Sequence, residues 1–411
     1  MSKKYKIFLF SPIVLPIPAI GGGAIETLLT SLIDQNEIEQ RVEFVLISKY
    51  DKQLENVSYN HTKIYFFDDY DIHNNKEYFH NLYKKYCFYK KIKKKILKNR
   101  ITKRLYKKPI KILSPFLFQC YQIAKKEKVD IVINEGNWDA KDCLCFCDLV
   151  GVENVYYHLH YNRKELIDFR SIIPNSISIS KFVRNEWANN KSIEGKNHVL
   201  YNGIDLSKFK IEISKVERDD KRKELGINSD DILVLFCGRF IPEKGIKQLL
   251  EAFELIDDNK IKLLVIGNLG FSDNNHSEFS RFVIDKAKDM RNVQLLGYIP
   301  NDELPYYYKI ADMQIVPSIW QEGAGLVAIE GMASGLPLVI TKSGGMIEYV
   351  NEDASIQVPI NDDLPKNLAK NIVYLSKNEE LRKKMSKAGE ERAECFSSKM
   401  FYDRFIDLFE V

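Results

Sequence analysis

The sequence predicts two α/β domains, each a parallel β-sheet covered by helices. Three observations carry that reading. Strand-like apolar runs alternate with longer amphipathic stretches through both halves. The chain has 411 residues, more than one hydrophobic core usually organises. The alternation breaks once, at the turn signal Tyr201-Asn202-Gly203-Ile204-Asp205 and the charged stretch Glu212 to Glu224, and then restarts.

In the first half, Tyr5 to Phe10, Arg41 to Ser48, Lys63 to Phe67, Val129 to Asn134, Asn154 to His158 and Ser176 to Ser180 read as strands. Ala24 to Asp34 and Leu113 to Lys126 read as helices between them. In the second half, strands are expected at Ile232 to Cys237, Ile261 to Ile266, Val293 to Leu296, Met313 to Val316 and Leu338 to Thr341. Gly245 to Leu255, Ser277 to Lys288, Leu304 to Ile310 and Leu326 to Ser334 are the intervening helices, and Leu364 to Val411 is helical. Residues 1–200 then form an N-terminal Rossmann-like domain and 201–385 a second one. Residues 386–411 form a C-terminal helix that packs back on the first. Ligands of such sheets sit at the carboxyl ends of the strands, so two sheets face to face place the site in the cleft between them.

Composition narrows the class. Hydrophobic residues make up 45% and aromatics 12%, enough to fill two cores, which excludes a disordered chain. No apolar run approaches the roughly 18–20 residues needed to span a bilayer. The start, Met1-Ser2-Lys3-Lys4-Tyr5-Lys6 followed by Ile7 to Phe10, resembles a signal peptide only briefly. Pro12, Pro16 and Pro18 interrupt it, and a first strand is the better assignment. Seven cysteines without framework spacing point to reduced thiols and a cytoplasmic chain. Cys143, Cys145 and Cys147 alternate and are expected to share one face of a strand as packing residues, since zinc pairs use wider gaps.

The net charge of +4 conceals an asymmetry. Lys84 to Lys111 holds 14 Lys or Arg and no acid, so the remainder of the chain is acidic. Apolar residues such as Ile92, Ile96 and Leu97 interleave at helical spacing. This segment reads either as a helix lying on an anionic membrane, with the chain peripheral at its inner face, or as a solvated lysine-rich helix over the first core. No nucleic-acid motif accompanies it.

The chemistry concentrates at Gln321 to Pro337. A strand ending at Val316-Pro317-Ser318 feeds a glycine-rich loop, and a helix starts near Gly325. Glycines let backbone approach a ligand, and the free N–H groups of the helix start favour an anion such as a diphosphate. Glu322 and Glu330, eight residues apart, would point about 80° apart on one continuous helix. With one on the loop and one on the helix, they can accept hydrogen bonds from different polyol hydroxyls. Cys237-Gly238-Arg239-Phe240-Ile241-Pro242-Glu243-Lys244-Gly245 follows the first strand of the second half. Arg239 and Lys244 there suit a diphosphate leaving group, and Gly238 permits close approach. Gly21-Gly22-Gly23 occupies the turn after the first strand without the dinucleotide spacing. In His158-Leu159-His160 the two imidazoles share a strand face, and either or both can turn into the cleft. No further metal ligand is obvious nearby.

Together these motifs resemble family 4 of the retaining glycosyltransferases, glycosyl transferases group 1, which have the GT-B fold of two facing Rossmann-like domains. The resemblance rests on Gly238-Arg239 with Glu243-Lys244-Gly245, Ala311-Asp312, Val316-Pro317-Ser318, Glu322 with Glu330, and Ser343-Gly344-Gly345 with Glu348. Gly21-Gly22-Gly23, His158-Leu159-His160 and Asn202-Gly203-Ile204-Asp205 extend it over most of the chain. It implies a nucleotide-sugar donor, a UDP-sugar, and a glycan or lipid-linked acceptor, with no metal or other cofactor. Arg239 and Lys244 would hold the diphosphate, Glu330 the ribose and Glu322 the transferred sugar. Gly325 and Leu326 would support the leaving phosphate. His160 would contact the sugar, and Gly22 and Gly23 would sit beside phosphate and acceptor. Ala324 stands where many members carry an aromatic residue, and Gly267-Asn268-Leu269-Gly270 replaces a glycine-acid-glycine turn. Three rivals have a sequence basis: a metal-dependent transferase using Asp69-Tyr70-Asp71, a nucleotide-sugar epimerase, and a non-catalytic carbohydrate-binding or coat-assembly protein.

Overall fold

A computed structural model of the chain describes residues 4–20, 22–68, 115–136, 140–161, 175–188, 195–267 and 278–409. Gly21, Asp69-Tyr70-Asp71, the basic segment Lys84 to Lys111 and Asn268 to Gly270 lie outside them. The chain divides into two compact units: Met1–Ser178 with Glu186–His198 and Ile406–Val411, and Ile179–Asn185 with Val199–Phe405.

The first unit is built on a seven-stranded sheet of order β3-β2-β1-β4-β5-β6-β7. Its strands are β1 (Lys6–Phe10), β2 (Glu43–Lys49), β3 (Thr62–Phe67), β4 (Ile131–Asn134), β5 (Val155–Leu159), β6 (Ser176–Ser178) and β7 (Asn197–Val199). The pairings from β3 through β6 are parallel. Ile7, Phe8, Leu9 and Phe10 are all fully buried. A continuous apolar run, not an alternating one, is what a strand covered on both faces requires.

The second unit carries a six-stranded, all-parallel sheet of order β10-β9-β8-β11-β12-β13. Its strands are β8 (Ile232–Cys237), β9 (Ile261–Ile266), β10 (Val293–Gly297), β11 (Met313–Val316), β12 (Leu338–Thr341) and β13 (Ser355–Val358). Leu233 and Leu235 pack into one core, and Val234 and Phe236 into another on the opposite face. The two-residue period of the strand thus divides its side chains between two helical layers.

One local reading changes, and two segments gain a structural assignment. Cys143, Cys145 and Cys147 lie on the helix Ala140–Val150, not on a strand. A parallel step from β4 to β5 needs a crossover element, and this helix provides it. Residues two apart on a helix point about 200° apart, so the three thiols do not share a face. The charged stretch after Glu212 also forms a helix, Lys215–Glu224, started by a capping box between Ser214 and Glu217. Its Arg222 is buried and pairs with Asp312, which also pairs with Arg218 and accepts from the Leu233 N–H. That network gives Ala311-Asp312 a structural role. Among the described residues, no helix is long and apolar enough to cross a membrane.

Candidate functional site

Each sheet reverses its strand order once, between β1 and β4 in the first unit and between β8 and β11 in the second. Loops leaving such neighbouring strands splay apart and open a crevice at their carboxyl ends. The sequence-marked residues of the second unit sit there: β8 ends at Cys237 and leads to Arg239 and Lys244, and β11 ends at Val316 and leads to Glu322.

Those two loops are laced together. Gly245 has φ 69°, and a Cβ there would stand 1.9 Å from the Pro317 carbonyl oxygen. Only glycine lets the first loop close on the second at that point. Ile319 and Trp320 donate their N–H groups to the Glu243 carbonyl at 2.9 and 3.3 Å. Within this frame the Lys244 Nζ donates to Glu322 Oε1 at 2.6 Å, and the Ser318 hydroxyl donates to the same oxygen at 2.7 Å. Both charged side chains remain partly open, with exposures of 26% and 18%. A third loop supports Glu322 from behind. Its N–H donates to the Ser343 hydroxyl, and its carbonyl accepts from the Gly345 N–H.

The helix Leu326–Ala333 starts beside this cluster, with Gly325 at its N-cap and no side chain capping the first turn. Backbone N–H groups at such a start are donors for an anion. One turn further in, Glu330 Oε2 accepts a 2.7 Å hydrogen bond from the hydroxyl of Tyr308, itself fully buried. Burial raises the Glu330 carboxyl to about 7, against the opposing effect of the Tyr308 hydrogen bond. Burial and the nearby Glu330 charge push the Cys237 thiol up to about 12, so it is inert at neutral pH. Arg239 is exposed. Glu348 serves elsewhere, accepting from the N–H groups of Lys181 and Phe182 and from the Tyr201 hydroxyl, and so caps the helix Lys181–Ala188.

In the first unit, Gly22 and Gly23 have φ 80° and 93°, and Gly23 is the N-cap of the helix Ala24–Glu39. The buried Glu26 folds back over this turn, where a Cβ on Gly23 would lie 2.2 Å from its Oε2. Burial raises the Glu26 carboxyl, while hydrogen bonds from the Glu26 and Leu15 backbone oppose the shift.

At the end of β4, Glu135 is fully buried, and its Oε2 accepts from His158 Nδ1 at 2.8 Å and His160 Nε2 at 3.1 Å. The imidazole centroids are 4.2 Å apart, so both rings do lie on one side of the strand. Burial works to raise the Glu135 carboxyl. The charge and hydrogen bond of His158, with the hydrogen bond from His160, outweigh it and hold the group down at about 2. His160 is pushed down to about 4 by burial and the adjacent His158, against the pull of Glu135.

Glu135 is the third ligand-type side chain that the sequence did not reveal beside the histidines, and the donor atoms lie within 4.8 Å of one another. Its Oε2 is already committed to two ring nitrogens. Glu135, Glu26 and Tyr308 were missed because each acts through a partner distant in sequence or folded back over a turn. One signal was available for Glu135: it follows a strand beside the first sheet's switch point.

Residues 217–392 match the family described as Glycosyl transferases group 1. An uncharacterized glycosyltransferase of Methanocaldococcus jannaschii, MJ1607, is 30% identical over 44% of this chain and 45% of its own length. The lipopolysaccharide 1,2-N-acetylglucosaminetransferase of Salmonella typhimurium is 36% identical over 32% of this chain and 36% of its own. The chain thus spans less than half the length of these two relatives. The crystal structure of Anabaena Alr3699/HepE in complex with UDP-glucose superposes with a TM-score of 0.69 at 16% identity, covering 99% of this chain and 100% of that one. That likeness establishes a shared GT-B fold of two Rossmann-like domains.

Proposed function

We propose that this chain, whose residues 217–392 belong to the glycosyl transferases group 1 family, moves a sugar from a UDP-sugar to a glycan or lipid-linked acceptor with retention and without a metal. The product belongs to surface polysaccharide or glycoconjugate biosynthesis. One observation carries the reading: at the second sheet's switch point an ammonium and a carboxylate, Lys244 and Glu322, lie partly open beside an uncapped helix start, with Glu330 one turn behind.

Bound donor exchanges the Lys244–Glu322 pair for ligand contacts. Lys244 and Arg239 neutralise the diphosphate, and Glu322 accepts hydroxyls of the transferred sugar. Gly238 admits the diphosphate close to the backbone. The N–H groups at Gly325 and Leu326 face the leaving phosphate, and Glu330 accepts the ribose hydroxyls. His160 contacts the sugar, and Gly22 and Gly23 line phosphate and acceptor. The bond between the anomeric carbon and the diphosphate oxygen breaks as an acceptor hydroxyl forms the new bond on the same face. The departing phosphate takes the hydroxyl proton. Fixed positive groups at a desolvated leaving group stabilise charge that grows in the transition state.

The test is UDP release from a panel of UDP-sugars, with and without glycan acceptors and with chelator. Release unaffected by chelator supports the reading. No release from any donor favours a non-catalytic binding protein, and release that chelator abolishes overturns the metal-free mechanism.

A further inference from the structure

The cluster at the end of β4 contains more order than a contact between His160 and a sugar requires. A carboxylate has no hydrogen to give, so each ring nitrogen bonded to Glu135 Oε2 must carry one. His158 is thereby protonated on Nδ1 and His160 on Nε2. His160 is neutral near pH 7, which leaves its Nδ1 as a lone pair. Its side chain keeps 7% exposure, whereas those of Glu135 and His158 keep 0% and 1%. Among the described residues, two buried atoms of the cluster, Glu135 Oε1 and His158 Nε2, have no hydrogen-bond partner. A cluster so little exposed does not exchange its own contacts for a ligand; it aims the one ring that reaches the surface.

We propose that Glu135 is the positioning residue for His160, anchoring its Nε2–H so that Nδ1 accepts a hydrogen bond from a hydroxyl of the transferred sugar. His158 acts behind it, its Nδ1–H holding the shared carboxylate oxygen in place. The assignment rests on the reading that His160 contacts the sugar. It goes further in naming which ring atom does so, in which direction the hydrogen bond runs, and which carboxylate sets it.

Two measurements test it, the first independent of turnover. Two-bond proton–nitrogen correlation spectra of the full chain with labelled histidine, at pH 7, report which ring nitrogen carries hydrogen. Hydrogen on His158 Nδ1 and on His160 Nε2 is expected. His160 protonated on Nδ1 overturns the proposal, as does zinc titration that shifts both rings stoichiometrically, which would make the cluster a metal site.

The second measurement is steady-state kinetics with the UDP-sugar hydrolysed fastest in the panel. Glu135→Gln should lower kcat by about 10- to 100-fold through misplacement of the ring, with donor KM changed less than about threefold. In a His160→Ala background, the same change should add less than about twofold. If His160→Ala alone leaves turnover intact, the sugar-contact reading fails while the spectra still judge the anchoring. If His160→Ala impairs turnover but Glu135→Gln does not, or the two losses multiply, Glu135 is not the positioning residue. Should Glu135→Gln fail to fold, the wild-type spectra decide.

Discussion

The two units treat charged side chains in opposite ways at equivalent places in their sheets. Beside the first switch point, Glu135, His158 and His160 are sealed, with side-chain exposures of 0%, 1% and 7%. Beside the second, Lys244 and Glu322 face each other at 26% and 18% exposure. A sealed network in a low dielectric is costly to rearrange and therefore fixes geometry. A half-open ion pair contributes little to stability and exchanges partners readily when a ligand arrives. The first arrangement holds its rings in place, and the second leaves its pair free to exchange partners.

The sharpest way to break the comparison is Lys244→Ala. It should lower kcat for UDP release by about 100- to 1,000-fold, the range for losing a group that stabilises transition-state charge, with melting temperature nearly unchanged. Stopped-flow or coupled UDP assays check the rate and calorimetry the fold. A loss that instead tracks a lowered melting temperature would make Lys244 structural.

Gly245→Ala should do the reverse, costing about 2–4 kcal/mol of stability in urea unfolding. Its φ of 69° and the Pro317 oxygen 1.9 Å from the new Cβ leave no room for a methyl group.

Glu330 sharpens the contrast through pH. Its folded value lies above the ordinary 4.5, so its contribution to stability is full below 4.5 and is lost as pH rises through about 7. Affinity for UDP should move the other way, because the ionised carboxylate is the better acceptor of ribose hydroxyls. Titration calorimetry should show UDP binding tightening, by up to about tenfold, from about pH 6 to about pH 8. Tyr308→Phe removes the hydrogen bond that lowers the value, so the midpoint should move upward.

The smallest effect belongs to the sealed cluster. His160 and Glu135 have folded values below their ordinary ones. Their contributions are present above 6.5 and 4.5 and are lost as pH falls through about 4 and about 2. The melting temperature of the wild type should fall from about pH 6 downward, and His160→Ala should flatten the upper part of that slope. An identical slope in the variant would assign the acid sensitivity elsewhere.

Much of this was legible in the residues themselves. Ile232–Cys237, Ile261–Ile266, Met313–Val316 and Leu338–Thr341 are strands at the bounds their apolar runs mark. The loop of Glu322 follows a strand and precedes the helix Leu326–Ala333, as its glycines require. Cys143 to Cys147 misled because a short apolar alternation has no length to separate strand from helix; the crossover between parallel strands settles it.

Local pattern alone determined the βαβ alternation, the glycines of the loops that follow β8 and β11 and the eight-residue spacing of Glu322 and Glu330, since each depends on neighbours a few residues away. Strand order was decided only in the folded chain, and with it the two switch points. That order brings Glu135 to His160, 25 residues on, and Tyr308 to Glu330, 22 residues on. Such partners meet because a sheet places β4 beside β5 and a helix over its neighbour, and nothing in the intervening sequence encodes the distance between them.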